Sequence, residues 1–383
     1  MTANKIIPPS GTPESGKIYH CSASLAVGGG GVKTYVDGLL AAVPDLFSTQ
    51  MLPSLQGLDQ SRFRLVHIHE VQRLSEVSGA CPVVFTAHNH DAYCPSGNKY
   101  LSHTKQICEQ AYDPLGCGVS HVVAGCGSKR PQRIIENVQR AGASLAALKT
   151  KKITVIANSE YVRQEFIRNG LPESQVITLK YGIREPAAPP TPLTEAIHQQ
   201  QRIFFGGRIV PEKGLDWLLE TMLLLDRRIH LDVAGEGWDM ARMQRRTKDL
   251  GLMDRVTWHG WCSGAKLEEL YRGAFVAVFP SVWPEPAGII TLEAYARYRP
   301  VVASAVGGIP EHVRDGQTGI LVNLNDRQGL ADAIITLADN LPMAQAMGAA
   351  GYDWFHEEFT IPDHVVQLQR IYEQVIASHG LPS

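Results

Sequence analysis

No apolar run in the 383 residues comes near the ~20 needed to cross a bilayer as a helix. An excess of one charge is missing too. The chain has 36 Lys and Arg against 38 Asp and Glu, and a formal net charge of −2 gives nucleic-acid binding no support. Low-complexity tracts are absent, and so is any Asp-x-Asp, the close carboxylate pair that offers two oxygens to a divalent cation. No two cysteines stand at the Cys-x2–4-Cys spacing of ordinary structural zinc sites. The seven cysteines are odd in number, and the opening MTANKIIPPSGTPESG lacks an apolar signal-peptide core. A disulfide framework is therefore not expected; residues 1–16 read as a disordered tail and the protein as cytoplasmic.

What is present suits two α/β domains, since the chain is long and 44% hydrophobic. KIYHCS (17–22), FRLVHIH (63–69), CPVVFTA (81–87), ITVIANS (153–159) and VITLKYG (176–182) read as buried strands alternating with helical stretches. The rhythm restarts with QRIFFGG (201–207), a helix over Leu215–Leu225, IHLDVAG (229–235), RVTWHGW (255–261), AFVAVFP (274–280), PVVAS (300–304) and TGILV (318–322). Such alternation predicts doubly wound parallel sheets, with ligands at the carboxyl ends of the strands. The expected division is 17–183, a Pro-rich linker at 184–199, 200–360, and a helical segment 361–383 crossing back to the first domain. Residues 94–126 form a loop-like, Cys-rich insertion in the first domain.

Four stretches follow in order within residues 201–325: FFGGRIVPEKGLDWLLE, VAGEG, VFPSVWPEPAGIITLEA and PVVASAVGGIPEHVRDGQTGILV. Together they resemble the retaining GT-B glycosyltransferases of family 4, the glycosyl transferases group 1. The resemblance implies two Rossmann-like domains facing across a cleft, the first binding acceptor and the second a nucleotide sugar. The first half matches more loosely.

Arg208 and Lys213, five apart on a strand-to-helix loop, suit a diphosphate as planar fork and point charge; a solvated loop is the plain alternative. In the family these positions bind the donor diphosphate. Glu285 and Glu293 match the family's E-x7-E element, around Ala287, Gly288 and Ile289 at a helix start. The first N–H groups of a helix lack intrahelical partners, so they can receive sugar hydroxyls or phosphate oxygens, and Gly288 lets a ligand approach the backbone. By the resemblance Glu285 contacts the donor sugar and Glu293 the ribose. The family often has Phe where this chain has Ala287, which bears on sugar identity. Two acids on one turn and helix do not flank opposite faces of a scissile bond, so a glycosidase pair is rejected.

Gly235, Gly237 and Trp261 end two strands in loops that hold the nucleotide in the family. The Gly28–Gly31 loop, with Gly29, Gly30 and Gly31 as its acceptor and phosphate contacts, opens a helix. A dinucleotide site would want an acid at the end of the second strand; Asp45 follows a helix instead, which argues against NAD. His88, at the end of CPVVFTA, matches a family histidine near the reacting centre; His90, Asp91, His67 and His69 are weaker candidates. Cys94, Cys108, Cys117 and Cys126 could close a structural zinc site, against the reading as unpaired thiols. Residues 128–152 carry seven Lys/Arg against one Glu, so this stretch is either a solvated helix or a peripheral dock for an anionic membrane.

The resulting expectation is a metal-independent retaining glycosyltransferase, with Glu285, His88, Arg208 and Lys213 as its catalytic set. It would take a UDP-, GDP- or ADP-sugar to a glycan, lipid-linked or small-molecule hydroxyl, with no nucleic-acid partner. A non-catalytic nucleotide-sugar binder is the rival from another class, and a same-fold phosphorylase or sugar-phosphate synthase the rival within the class.

Overall fold

A computed structural model describes residues 16–22, 31–42, 49–187 and 189–380, with the backbone only at 31–34 and 49–50. The chain divides into two units, Met1–Gly182 with Ile361–Ser383, and Ile183–Thr360.

The first unit contains β1 (Ile18–Cys21), α1 (Gly31–Ala42), β2 (Thr49–Leu52), β3 (Leu65–Ile68), β4 (Val83–Ala87), β5 (Tyr100–Leu101), β6 (Gln106–Ile107), α2 (Pro114–Val123), α3 (Pro131–Thr150), β7 (Thr154–Ala157), α4 (Glu160–Arg168) and β8 (Val176–Thr178). Its main sheet has the order β2-β1-β3-β4-β7-β8, and every pairing is parallel. Strands β3 and β4 are buried along their whole length, as near-continuous apolar runs covered on both faces should be. Strand β2 falls at the edge and was not anticipated, because TQML lacks the apolar run that marks the inner strands.

The second unit contains α5 (Glu195–His198), β9 (Arg202–Gly206), α6 (Leu215–Thr221), β10 (His230–Ala234), α7 (Met240–Asp249), β11 (Val256–Gly260), α8 (Gly264–Gly273), β12 (Val276–Phe279), α9 (Ile289–Tyr295), β13 (Val301–Ser304), β14 (Gly319–Val322), α10 (Arg327–Asp339) and α11 (Leu341–Glu358). Its parallel sheet runs β11-β10-β9-β12-β13-β14. Ile203, Phe205, Leu231, Val276 and Val302 of the sheet pack with Leu218 of α6 and Ile334 of α10 in one core. The chain winds outward from β9 in one direction and from β12 in the other. The strand order therefore reverses between these two neighbours, and a crevice at their carboxyl ends is the place for a ligand.

Three expectations need correction. Helix α6 stops at Thr221 rather than Leu225, and Leu223 and Leu224 are exposed. The linker is not free over its whole length: Leu193 joins the second core, and fully buried Arg299 donates to the Thr191 carbonyl as well as to the last carbonyls of α8. The Cys-rich stretch contains a helix, α2, started by Asp113, whose side chain accepts from the Gly116 N–H, with Pro114 next to it. Gly116 and Gly118 inside α2 hid the helical pattern.

The final helix, α12 (Ile361–Ser378), belongs to the first unit. Its buried His364, Leu368, Ile371, Tyr372, Val375 and Ile376 recur at helical spacing. Tyr372 Oη lies 2.6 Å from His67 Nδ1, and His364 Nε2 lies 2.8 Å from Tyr35 Oη. Among the described residues no helix is long and apolar enough to cross a membrane.

Candidate active site

At the reversal point of the second sheet, the loops after β9, β10 and β11 are laced through their backbones. Gly207 N–H donates to Ala234 O at 3.0 Å, Ile209 N–H to Glu236 O at 2.9 Å, and Gly235 N–H to Gly260 O at 2.7 Å. A side chain on Gly235 would overlap the Gly207 carbonyl, and one on Gly237 the Ile209 carbonyl. These glycines therefore permit a close approach of loop to loop, and their own contribution to a ligand is backbone only. Trp261 lies just past β11 and is 62% exposed.

Arg208 stands two residues past the end of β9. Its side chain is exposed, and no ion pair or hydrogen bond engages it among the described residues. Lys213 ends a short 3-10 turn, Pro211–Lys213, closed by Gly214 in the left-handed region. A side chain at Gly214 would strike the Pro280 carbonyl, so glycine is what lets the post-β9 turn lie against the end of β12. Val282 N–H then donates to Glu212 O at 2.9 Å.

That contact delivers Lys213 to Glu285, with Nζ 2.5 Å from Oε1. Ser281 Oγ and Trp283 Nε1 donate to the same oxygen at 2.8 and 2.7 Å. Three donors thus converge on Oε1 of a buried carboxylate, while none of the described residues bonds Oε2. The backbone is fixed as well: Gly308 N–H donates to Glu285 O at 2.7 Å, and a side chain at Gly307 would overlap the Glu285 backbone. Ser281, Trp283 and Gly307 were not singled out in the sequence. A Trp and a Ser within four residues of the acid were the available signal.

Ala287 is buried, and Gly288 starts α9 in the left-handed region with no side-chain cap. Ile289 is half-buried. Helix α9 is only seven residues long, so its dipole is a minor term. Glu293, in its second turn, accepts from Tyr271 Oη at 3.1 Å. Arg297 lies over the Tyr271 ring and donates to Glu293 O and to Glu268. Burial raises the Glu293 carboxyl above its ordinary range, with Arg297 and the Tyr271 hydroxyl opposing. The two acids therefore sit in different surroundings, one against a cation and one against a phenol.

In the first unit the chain order reverses between β1 and β3, and the histidines gather at these strand ends and at that of β4. His20 Nδ1 meets His69 Nε2 at 2.9 Å, His69 Nδ1 meets His88 Nε2 at 2.9 Å, and His88 Nδ1 meets Tyr181 Oη at 2.5 Å. Asn158 donates to Tyr181 Oη at 3.1 Å. With neutral rings each link pairs one N–H or O–H with one lone pair, along Asn158, Tyr181, His88, His69 and His20. Burial keeps the rings neutral, lowering His20 to about 4 and His88 to about 3, and holding His67 and His69 well below the usual value. Both ring nitrogens of His88 are engaged, so the ring is an oriented neutral dipole.

Ligand atoms of His20, His67 and His69 lie within 4.8 Å of one another. His67 is bonded to Tyr372 and Thr86, and His69 to His20 and His88, so hydrogen bonds account for the group without an ion. His90 is buried against Tyr93 Oη and Asp91 pairs with Arg140; both serve the neighbouring scaffold. Gly28, Gly29, Gly30, Asp45 and nearly all of the N-terminal tail lie outside the described residues, and Gly31 opens α1.

Residues 200–340 match the family model described as Glycosyl transferases group 1. A D-inositol 3-phosphate glycosyltransferase of Streptomyces griseus is 39% identical over 158 residues, 38% of this chain and 33% of that protein. A GDP-mannose-dependent alpha-(1-6)-phosphatidylinositol monomannoside mannosyltransferase of Mycobacterium tuberculosis is 29% identical over 212 residues, 51% of this chain and 55% of that one. The chain thus spans about a third to a half of the length of the curated relatives it matches. Over nearly its whole length the fold is that of GT-B glycosyltransferases. HepE of Anabaena in complex with UDP-glucose superposes with TM-score 0.72 at 15% identity, covering 94% of this chain and 99% of that one. A sucrose-phosphate synthase from Thermosynechococcus elongatus gives 0.71 at 19%, covering 95% and 100%.

Proposed function

We propose that the protein is a retaining glycosyltransferase that moves a sugar from a nucleoside-diphosphate donor to an acceptor hydroxyl. The observation that carries this is the Glu285 site, where one carboxylate oxygen is saturated by Lys213, Ser281 and Trp283 and the other has no partner among the described residues. A free Oε2 beside a lysine can accept from a sugar hydroxyl while the cation faces a phosphate. Arg208, unpaired at the end of β9, supplies the second charge for the diphosphate.

In the proposed reaction the bond from the anomeric carbon to the diphosphate oxygen breaks as the acceptor oxygen attacks on the same face. The acceptor proton passes to the departing phosphate. Arg208 and Lys213 stabilise the charge that develops on the leaving group, the largest expected term, and no metal ion is required for it. The matched relatives and neighbours are named for GDP-mannose and UDP-glucose, which supports a nucleoside-diphosphate donor.

The test is release of free nucleoside diphosphate from UDP-, GDP- and ADP-sugars incubated with candidate acceptors, with and without EDTA. Arg208→Ala and Glu285→Gln should both lose transfer, and wild-type rates in either would sink the assignment. Binding without turnover would favour the non-catalytic rival, and dependence on inorganic phosphate a phosphorylase.

A peripheral lipid surface is supported by a separate patch. Leu115, Val119, Val122 and Val123 of α2 and Ile135 of α3 are 82, 60, 56, 70 and 57% exposed, beside exposed Lys129, Arg130 and Arg133. Arg140 and Lys151 are bound to Asp91 and to backbone carbonyls, so fewer basic residues are available than the sequence suggested. Sedimentation with phosphatidylserine vesicles, and not with phosphatidylcholine alone, is the expected result; equal or absent binding would remove this reading.

A further inference from the structure

A cavity of ≈ 20 Å³, enough for one water-sized sphere, lies under α2 and is lined by Cys94, Cys108, Cys117, Cys126 and His121. The four cysteines come from separate pieces of chain: beyond β4, just after β6, inside α2, and after α2. Their spacing of 14, 9 and 9 positions does not bring them together, and the fold does. All are free thiols. Cys126 Sγ lies 3.6 Å from His121 Nδ1 across this cavity.

His121 gives an independent sign. It is fully buried, and its Nδ1 lies 2.8 Å from the Cys117 carbonyl, while Nε2 has no partner among the described residues. A buried polar atom left alone is costly. A ring donating from Nδ1 to a backbone carbonyl presents Nε2 as a lone pair, the form in which imidazole binds metal. Little else holds this segment: the β5–β6 hairpin has two residues per strand, and α2 turns its large apolar side chains to solvent.

We propose that this cavity binds one soft divalent cation, zinc in the cell, in a tetrahedral site whose four ligands are drawn from Cys94, Cys108, Cys117, Cys126 and His121. Thiolates and imidazole select such an ion, and the ion replaces the missing core of residues 94–126. No three of these donors lie within 4.8 Å of one another in the described structure, so binding draws hairpin and helix together. The bound thiols lose their protons to solvent. Buried Lys99, on the cavity wall and paired with Glu165 at 2.8 Å, places a cation near the thiolate charge.

Metal content of the full chain, purified under reducing conditions without chelator or added zinc, tests this directly. Roughly one zinc per chain is expected. Cobalt exchanged into the site should give the intense visible bands of a tetrahedral complex and a thiolate charge-transfer band. Cys108→Ser and Cys117→Ser should each weaken cobalt binding by at least ~10-fold. Band shifts in His121→Gln assign the fourth position to the imidazole, and an unchanged spectrum assigns it to the fourth thiolate. Chelation should lower the melting temperature by roughly 5–10 °C. Less than ~0.1 zinc per chain together with no cobalt spectrum from the reduced protein overturns the proposal. So does recovery of the four cysteines as disulfides. The wild-type measurements do not depend on whether the variants fold.

Discussion

The two residues proposed for one site, Arg208 and Glu285, owe different amounts to the fold. Arg208 is exposed and unpaired, so Arg208→Ala should leave stability within about 0.5 kcal/mol while reducing transfer on the order of 10²-fold or more. Glu285 is buried and neutralises Lys213. Glu285→Gln leaves that ammonium without its counter-charge and should cost about 1–3 kcal/mol as well as activity. Chemical denaturation of both variants beside transfer assays checks the pair; equal stability losses would contradict the assigned roles. Arg208, Lys213 and the two acids were legible because each sits inside a stretch whose neighbours are equally specific. Ser281, Trp283, Tyr271 and Gly307 were not, because what matters about them is a tertiary contact: a hydroxyl or indole N–H aimed at a carboxylate, or a backbone lying on another backbone. His20 was missed for the same reason, since only the β1–β3 pairing brings it beside His69.

Among the elements, the glycine-bearing loops after β9 and β10 set the geometry that the charged residues use. Gly235→Ala and Gly237→Ala each place a methyl group against a carbonyl that cannot move without breaking the lacing between loops. Each should lose more than ~2 kcal/mol. Gly251→Ala, at positive φ like Gly235 but with open space around it, should lose only about 1 kcal/mol. Thermal melts of the three variants decide this, and a Gly251→Ala as damaging as Gly235→Ala would place the cost at Gly235 in backbone strain rather than in the carbonyl contact. The strands were readable because parallel strands covered on both faces are short apolar runs bounded by breakers. Edge strand β2 and the glycine-interrupted α2 were not, since neither carries the period of its own element. The division near residue 183 showed in the prolines, but the attachment of Leu193 and Thr191 to the second core depends on partners far along the chain.

At the scale of the whole chain, the two units should respond differently to acid. His20 and His364 are lowered to about 4 and His88 to about 3 by burial, and His67 and His69 lie well below the ordinary value, all in the first unit. In the unfolded chain these rings take up protons below about 6.5, while in the folded chain they stay neutral. The unfolded state therefore binds more protons in this window. Stability is present in full above pH ~6.5 and falls as the pH drops toward about 4, by up to ~1.4 kcal/mol per histidine per pH unit. In the second unit, burial would raise Asp232, but hydrogen bonds from Arg202 and His259 hold it below its usual range, so its contribution is lost only at lower pH. Glu293, raised by burial, works in the opposite sense and favours the folded state as it protonates. All six tryptophans, Trp217, Trp238, Trp258, Trp261, Trp283 and Trp354, belong to the second unit. Between pH 7 and 5 the first far-UV circular dichroism transition should fall by roughly 10 °C or more while the tryptophan fluorescence transition moves little. If the two signals shift together, the acid sensitivity does not reside in the buried histidines of the first unit.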